Sequence, residues 1–215
     1  METPPTAPTD DDDQLMIRLQ EGDGSAFDEI VDRHQRTLWG FFFKNTRDAQ
    51  LSEDLTQDTL LKVYNQFWDY LPSGRFRGWM FRIARNLLID DVRKRSHDAL
   101  IRAIRHGTDP EKDVLQQIAQ DIVPPEVEIE EEEFKETVNE LLSQIPDDQR
   151  QTFTMHHFAG LSLPDVADAM DVPLATCKSR LRLAREKLVE KLDMRGIRAT
   201  AGSATKKPVR TTHRK

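Results

Sequence analysis

The chain has 215 residues, 37% of them hydrophobic and 32% charged, with a formal net charge of -7. That charge content exceeds the roughly 25% of an ordinary globular domain and suits helices with solvated faces better than a sheet sandwich. No apolar stretch approaches the roughly 20 residues that cross a bilayer, and the acidic, Pro/Thr-rich start is unlike a signal peptide. The single cysteine, Cys177, excludes an internal disulfide and a Cys-based zinc site. The expectation is a cytoplasmic protein with no membrane insertion.

Residues 1–13 carry no hydrophobic period and read as a disordered acidic tail. A first helix is expected from about Gln14, with Leu15, Ile17 and Leu19 apolar, ending at Gly22 to Gly24. Ser25 is placed to cap a second, reaching Thr46, in which Phe27, Ile30, Val31, Leu38, Phe42 and Phe43 recur at helical spacing. A third starts near Ser52 with a buried stripe of Leu55, Leu60, Leu61, Val63, Tyr64 and Phe67, and Pro72, Ser73 and Gly74 break it. A fourth, Arg77 to Lys94, sets Trp79, Met80, Ile83, Ala84, Leu87, Leu88 and Val92 near one face and its arginines largely on the other. Residues 97–128, interrupted by Gly107, Pro110 and Pro124-Pro125, read as a flexible acidic linker. Helical period resumes at Ile129 and runs to Pro146, and Asp147 is expected to cap a further helix through His157 and Phe158 that ends at Gly160. Ser162 then caps the helix Leu163 to Met170, followed by a turn at Asp171 to Pro173 and the helix Leu174 to Leu192. Residues 196–215 read as a disordered basic tail. The fold class is all-α: two small helical domains, 14–96 and 129–195, joined by the linker.

The acidic average hides a blocked distribution. From Leu71 to Ser96 the charges are Arg75, Arg77, Arg82, Arg85, Arg93, Lys94 and Arg95 against Asp90 and Asp91, and from Pro173 to Arg195 seven basic residues face three acidic ones. Two basic elements with an acidic connector suggest two nucleic-acid contacts joined by a spacer. Two helices joined by a short turn, the second one basic, form a helix-turn-helix whose second helix enters the major groove. Its outward residues are Thr176, Lys178, Ser179, Arg180 and Arg182, with Arg185 one turn on, while Val166, Ala167, Met170, Val172, Cys177, Leu181, Ala184 and Leu188 hold the pair together. In the first domain aromatics interleave with arginines: Phe67, Trp68, Tyr70, Arg75, Phe76, Arg77, Trp79, Phe81, Arg82 and Arg85. Aromatic faces stack on unpaired bases and guanidinium groups hold the backbone, which equips a surface to grip single strands; spacing alone fits equally a core with solvated arginines.

The stretch Gly22-Asp23, Ala26-Phe27, Ser52-Glu53-Asp54-Leu55-Thr56-Gln57-Asp58 and Phe76-Arg77-Gly78-Trp79-Met80-Phe81-Arg82-Ile83-Ala84-Arg85-Asn86 with Asp90 and Arg93 resembles region 2 of extracytoplasmic-function sigma factors of the sigma-70 family. The stretch Ile145-Pro146, Gln149-Arg150, Gly160-Leu161-Ser162, Val166-Ala167, Val172-Pro173, Thr176, Lys178-Ser179-Arg180-Leu181 and Ala184-Arg185 is similar to region 4. The resemblance implies an RNA polymerase subunit that directs core enzyme to promoters. Glu53, Asp54, Gln57, Asp58 and Leu61 would meet the clamp helices of the β′ subunit. Tyr70, Arg75, Phe76, Arg77, Trp79, Arg82, Arg85, Asn86 and Arg93 would melt and read the -10 element, with a base turned into a pocket beside the Pro72 to Gly74 loop. Thr176, Lys178, Ser179, Arg180, Arg182 and Arg185 would read the -35 element while the domain docks on the β flap, and an anti-sigma factor is an implied partner. No cofactor is implied, and bond making is left to the polymerase.

Three positions depart from the family's usual pattern: Ala175 for Gly, Cys177 for Val and Leu183 for Arg, the last removing one phosphate contact. His156 and His157 point about 100° apart on a helix and make no metal site. The Glu130 to Glu133 run lacks the Gly and alternating oxygens of a cation loop. No phosphate loop or nucleophile set supports an enzyme. The competing reading is a helix-turn-helix regulator, controlled by a ligand or partner, that never holds polymerase; a helical adaptor that binds only protein is a third.

Overall fold

A computed structural model describes residues 11–106 and 129–194, and every regular element among them is helical. In chain order these are α1 (Asp11–Gln20), α2 (Ser25–Thr46), α3 (Ala49–Asn65), a 3-10 turn (Phe67–Asp69), α4 (Phe76–His106), α5 (Ile129–Ser143), α6 (Asp147–His157), α7 (Leu163–Met170) and α8 (Leu174–Met194). Among the described residues no helix is long and apolar enough to cross a membrane, and no group of three His, Cys, Asp or Glu could hold a metal ion.

The first domain forms because four helices each present one apolar stripe. Leu15, Met16 and Leu19 of α1, Ile30, Leu38, Phe41 and Phe42 of α2, Leu55 and Val63 of α3, and Phe76, Met80, Phe81, Ala84 and Leu88 of α4 are buried together. Each of the larger of these side chains contributes on the order of 1.5–3 kcal/mol, and the edge-on contact of Phe41 with Phe81, ring centroids 5.4 Å apart, adds to it. Thr56 and Thr59, buried in the same core, satisfy their hydroxyls by donating to the carbonyls of Ser52 (2.6 Å) and Leu55 (2.7 Å) one turn back.

Several helix ends differ from expectation. α1 starts at Asp11, so the acidic run is not wholly tail: Asp12 and Asp13 are buried in the helix's first turn. A carboxylate there meets the positive end of the helix dipole. Ser25 is the first residue of α2 rather than its cap, and its hydroxyl instead binds the Asp23 carboxylate at 2.6 Å. α3 starts earlier than Ser52, at Ala49, because Asp48 accepts from the Leu51 amide at 2.9 Å. α4 continues past Lys94 to His106, taking in the beginning of the expected linker; the rest of that linker, 107–128, and the tail 196–215 lie outside the described residues. Asp147 is the first residue of α6, with Pro146 at the cap position and no side-chain cap bond. At α7 the expectation holds, since Ser162 accepts from the Asp165 amide at 3.3 Å.

In the second domain Leu141 and Leu142 of α5, with Ile145 just after it, close on Ala184 and Leu188 of α8. α6 and α7 add Met155, Val166, Ala167 and Met170, and Cys177 and Leu181 of α8 are buried with them. The two domains do not stand apart. Met155, Ala159, Leu161, Val166, Ala167, Ala169, Met170 and Cys177 are continuous with the buried cluster of the first domain. α7 lies along α4, and α5 and α6 pack on α2.

Candidate nucleic-acid interface

α3 turns Ser52, Leu55, Thr56, Thr59, Leu60 and Val63 inward, so helical geometry sends Glu53, Asp54, Gln57, Asp58 and Leu61 outward, where all five are exposed. Gln50 donates to Asp54 and Gln57 to Glu53, each at 3.0 Å across one turn. Leu61 and Tyr64, expected in the buried stripe, are exposed instead: Leu60, Leu61, Val63 and Tyr64 cannot all share one face of a helix, and Leu60 and Val63 take the inner positions. With Trp68 at 68% and Leu71 at 80% exposure, the result is an acidic ridge beside an uncovered apolar strip, a surface suited to a protein partner.

Beyond the 3-10 turn, residues 70–75 lead to α4 and carry most of the aromatic-arginine pattern. Tyr70 and Phe76, named as base-contacting candidates, are buried at 4% and 0% exposure. They pack on each other and on Trp79, with Tyr70 5.0 Å from the Trp79 ring; Phe76 presents no face for a base to stack on, and Tyr70 shows only an edge at the wall of a cavity. Their contribution is support. Burial and the hydrogen-bonded Asp13 carboxylate push the Tyr70 hydroxyl far above its ordinary value, so it stays protonated and donates to Asp13. Trp79 is half-buried, whereas Arg75, Arg82, Asn86 and Arg93 are exposed and Arg77 and Arg85 half-buried.

Three of these arginines are engaged by the second domain. Arg75 pairs with the Asp168 carboxylate at 2.6 Å. Arg82 donates through Nε (3.1 Å) and Nη2 (2.7 Å) to the Asp168 backbone carbonyl. Arg77 donates to the carbonyl of Ala159. Gly78 makes the approach possible, because a Cβ there would sit 3.3 Å from the Asp165 Cβ. Around this contact lies a cavity of about 260 Å³ walled by Tyr70, Leu71, Ser73, Arg75, Trp79 and Arg82 on one side and Asp165 and Asp168 on the other. It is smaller than the roughly 300–1,000 Å³ of pockets for drug-sized ligands. Elsewhere along the seam Lys44 binds Asn139 (3.3 Å), Asn45 donates to Thr154 (3.2 Å), and Arg47 pairs with Glu136. Burial and nearby Arg180 hold the Arg85 guanidinium below its ordinary value against the pull of Asp148 and Asp171. Asp165 and Asp168 went unnoticed in the sequence because two acids on a short amphipathic helix carry no sign of a distant arginine partner.

The helix-turn-helix is formed as its spacing predicts, with Asp171 in the left-handed region (φ 53°) at the turn. Lys178, Ser179, Arg182 and Arg185 are exposed along α8, and Thr176 and Arg180 half-buried. Arg182 pairs with Glu186 on its own helix at 2.6 Å. Arg180 turns back to Asp148 at 2.5 Å, and Arg185 donates to His157 through Nε (3.1 Å) and Nη2 (3.0 Å). Of the atypical positions, Ala175 is exposed, Leu183 half-buried and Cys177 fully buried. Burial pushes the Cys177 thiol up, outweighing nearby Arg180, so it behaves as a small hydrophobe.

Residues 30–98 match the family profile described as Sigma-70 region 2, and residues 135–188 that described as Sigma-70, region 4. The RNA polymerase sigma-H factor of Pseudomonas aeruginosa is 31% identical over 184 residues, covering 81% of this chain and 90% of that protein. The ECF RNA polymerase sigma factor SigW of Bacillus subtilis is 27% identical over 184 residues, 83% of this chain and 98% of its own length. Among solved structures, CnrH in complex with the cytosolic domain of CnrY superposes with a TM-score of 0.63 at 20% identity, covering 86% of this chain and 99% of its own. The sigma factor RpoE, solved with the anti-sigma factor NepR from Bartonella quintana, gives 0.62 at 23% identity, covering 78% and 96%. At those identities the two structures speak for the fold.

Proposed function

The chain belongs to the extracytoplasmic-function sigma factors of the sigma-70 family, and from that premise we propose how its residues divide the work of transcription initiation. It is an RNA polymerase sigma factor; factors of this kind are regulatory, and bond making is left to the core enzyme. The first domain, through Glu53, Asp54, Gln57, Asp58 and Leu61, takes the β′ clamp helices: the ridge is exposed and its apolar strip uncovered. Arg75, Arg77, Trp79, Arg82, Arg85, Asn86 and Arg93 take the opened -10 strand, with the first domain's wall of the cavity, beside Trp79 and Arg75, receiving an unstacked base once α7 is withdrawn. Tyr70 and Phe76 hold that surface from within. The second domain reads the -35 element with Thr176, Lys178, Ser179, Arg180, Arg182 and Arg185 in the major groove and rests on the β flap.

The observation that carries this reading is α8, a recognition helix whose Lys178, Ser179, Arg182 and Arg185 remain exposed after the domain has folded. Because Arg75, Arg77 and Arg82 are bound to the second domain, the domains must part before the -10 surface can meet DNA. An anti-sigma factor is a fitting partner, since a protein that holds the domains together keeps that surface covered. The chain stays with the polymerase in the cytoplasm.

The test is retention of bacterial core polymerase by the purified chain, compared with an Asp54→Ala, Gln57→Ala variant. Retention by the native chain and loss in the variant supports the reading. If neither binds core polymerase, a helix-turn-helix regulator that never holds the enzyme takes its place.

A further inference from the structure

The segment between the 3-10 turn and α4 walls the cavity, yet it has no regular backbone pairing of its own, and Gly74 lies in the left-handed region (φ 71°). Buried backbone groups in such a segment need partners from elsewhere. α1 supplies them from two positions. At its C-terminal end Gln20 donates through its single amide nitrogen to the carbonyl of Phe67 (2.6 Å) and to that of Tyr70 (2.9 Å). At its N-terminal end the Asp13 carboxylate accepts from the Tyr70 hydroxyl with one oxygen and from the Gly74 amide, at 2.6 Å, with the other. Seven residues separate Asp13 from Gln20, two helical turns, so both project from the same side of α1.

Asp13 has 0% exposure, and a carboxylate so buried is kept only when its lone pairs are met. Its neighbour Asp12 points about a third of a turn away and does a different task. It ties α1 to α2 through Arg33 (3.2 Å) and His34 (3.0 Å). Burial pulls the Asp12 carboxyl up, but hydrogen bonds and charge from His34 and Arg33 outweigh it and hold it below its ordinary value. Thus α1 is fixed to the domain by one acid and grips the loop with the next.

We infer that Asp13 and Gln20 are positioning residues for promoter reading: they hold residues 67–74 in the shape that forms the base-receiving wall, and so set -10 selectivity without touching DNA. The inference rests on the -10 reading above. Asp12 and Arg33 have no part in it beyond anchoring the helix.

The experiment uses holoenzyme assembled from core polymerase and the full chain, and scores open-complex formation on duplex promoters randomised across the -10 element or across the -35 element. Asp13→Asn, Asp13→Glu, Gln20→Leu and Arg75→Ala are compared with the native chain, with thermal melts and core-polymerase binding recorded for each. Asp13→Asn and Gln20→Leu are expected to flatten base preference in the -10 element by about three- to tenfold, the loss that goes with one misplaced buried hydrogen bond. Preference in the -35 element and core binding should be unchanged, and Asp13→Glu should recover part of the selectivity. If base preference is kept and activity merely falls with the folded fraction, Asp13 and Gln20 are structural only and the inference is overturned. If Arg75→Ala also leaves -10 preference unchanged, the -10 reading itself fails, and the inference falls with it.

Discussion

The two arginine-bearing surfaces of this molecule have similar composition and opposite availability. At the start of α4 and just before it, Arg75, Arg77 and Arg82 are bound to a carboxylate and two backbone carbonyls of the other domain. On α8, Lys178, Ser179 and Arg182 touch nothing outside their own helix in a way that would hinder a groove, and Arg180 and Arg185 are held only by single side chains of α6. The α7 helix is responsible for both outcomes. Its apolar face supports α8 through Val166, Ala167 and Met170, and its polar edge brings Asp165 and Asp168 to α4. The helix-turn-helix therefore carries, on its first helix, a negative edge that binds arginines proposed above to take the -10 strand. Positive charge in a sequence shows where an anion would be welcome; whether another part of the chain is already there is a separate matter.

The difference in availability disappears if α7 is lifted from α4. Gly78→Leu places a side chain where even a Cβ would sit 3.3 Å from Asp165. Overpacking of this kind costs about 1–3 kcal/mol, and here it falls on the contact between domains, because the nearest atoms to that Cβ all belong to Asp165. The expected result is a larger radius of gyration in small-angle scattering and a gain in affinity for single-stranded -10 DNA by the free protein, with each domain still helical. An unchanged radius would mean either that α7 yields to the new side chain in place or that the domains are separated already. Asp168→Ala is the finer instrument. It removes the partner of Arg75 but leaves the carbonyl that holds Arg82, and with both charged side chains more than half exposed, 58% and 52%, the pair contributes no more than about 1 kcal/mol. Less than a roughly fivefold rise in DNA affinity is expected, measured by fluorescence anisotropy and diminishing as salt is raised.

Much of this architecture is legible in the sequence, and the reason is locality. The helix-turn-helix is recovered at its cap, its turn and its buried positions, because Ser162, the break at Asp171 to Pro173 and the apolar spacing of Val166 to Leu188 are all read within a few residues of one another. On α3 the polar outward residues Glu53, Asp54, Gln57 and Asp58 are legible in the same way, while Leu61 and Tyr64, expected inside, are exposed. What could not be read are pairings across long separations. Asp12 and Asp13 look like tail until His34 and Tyr70, 22 and 57 residues on, are brought to them. Tyr70 and Phe76 look like stacking platforms because an aromatic beside an arginine carries the same letters whether it faces solvent or core. Asp48 takes the start of α3 from Ser52 for a still simpler reason: two good capping residues lie four apart, and only the entry angle of the chain chooses between them.

The smallest effect tests the open surface. Burial, with Arg185 and His156 nearby, holds His157 below its ordinary value, so at neutral pH its ring is unprotonated and accepts from Arg185 at 3.0 Å. The sign follows from which state takes the proton first. As pH falls, the unfolded chain protonates this histidine near its ordinary value of about 6.5, before the folded one does. The contribution of the neutral ring to stability is therefore complete above that pH and is lost as pH falls from there through the lowered folded value. Thermal melts between about pH 8 and about pH 5 should show the native chain losing ground to a His157→Gln variant only in the lower part of the range. The same proton ends acceptance from Arg185 and repels it, so salt-sensitive binding to -35 duplex should strengthen slightly on acidification in the native chain and not in the variant. Acid effects on Asp12 belong to a separate window, because its lowered carboxyl keeps its contribution until pH drops below about 3.9. A loss confined to that lower window would leave Arg185 as free as Lys178 at every pH the protein tolerates, and the contrast between the two surfaces would then be sharper than the His157 contact makes it.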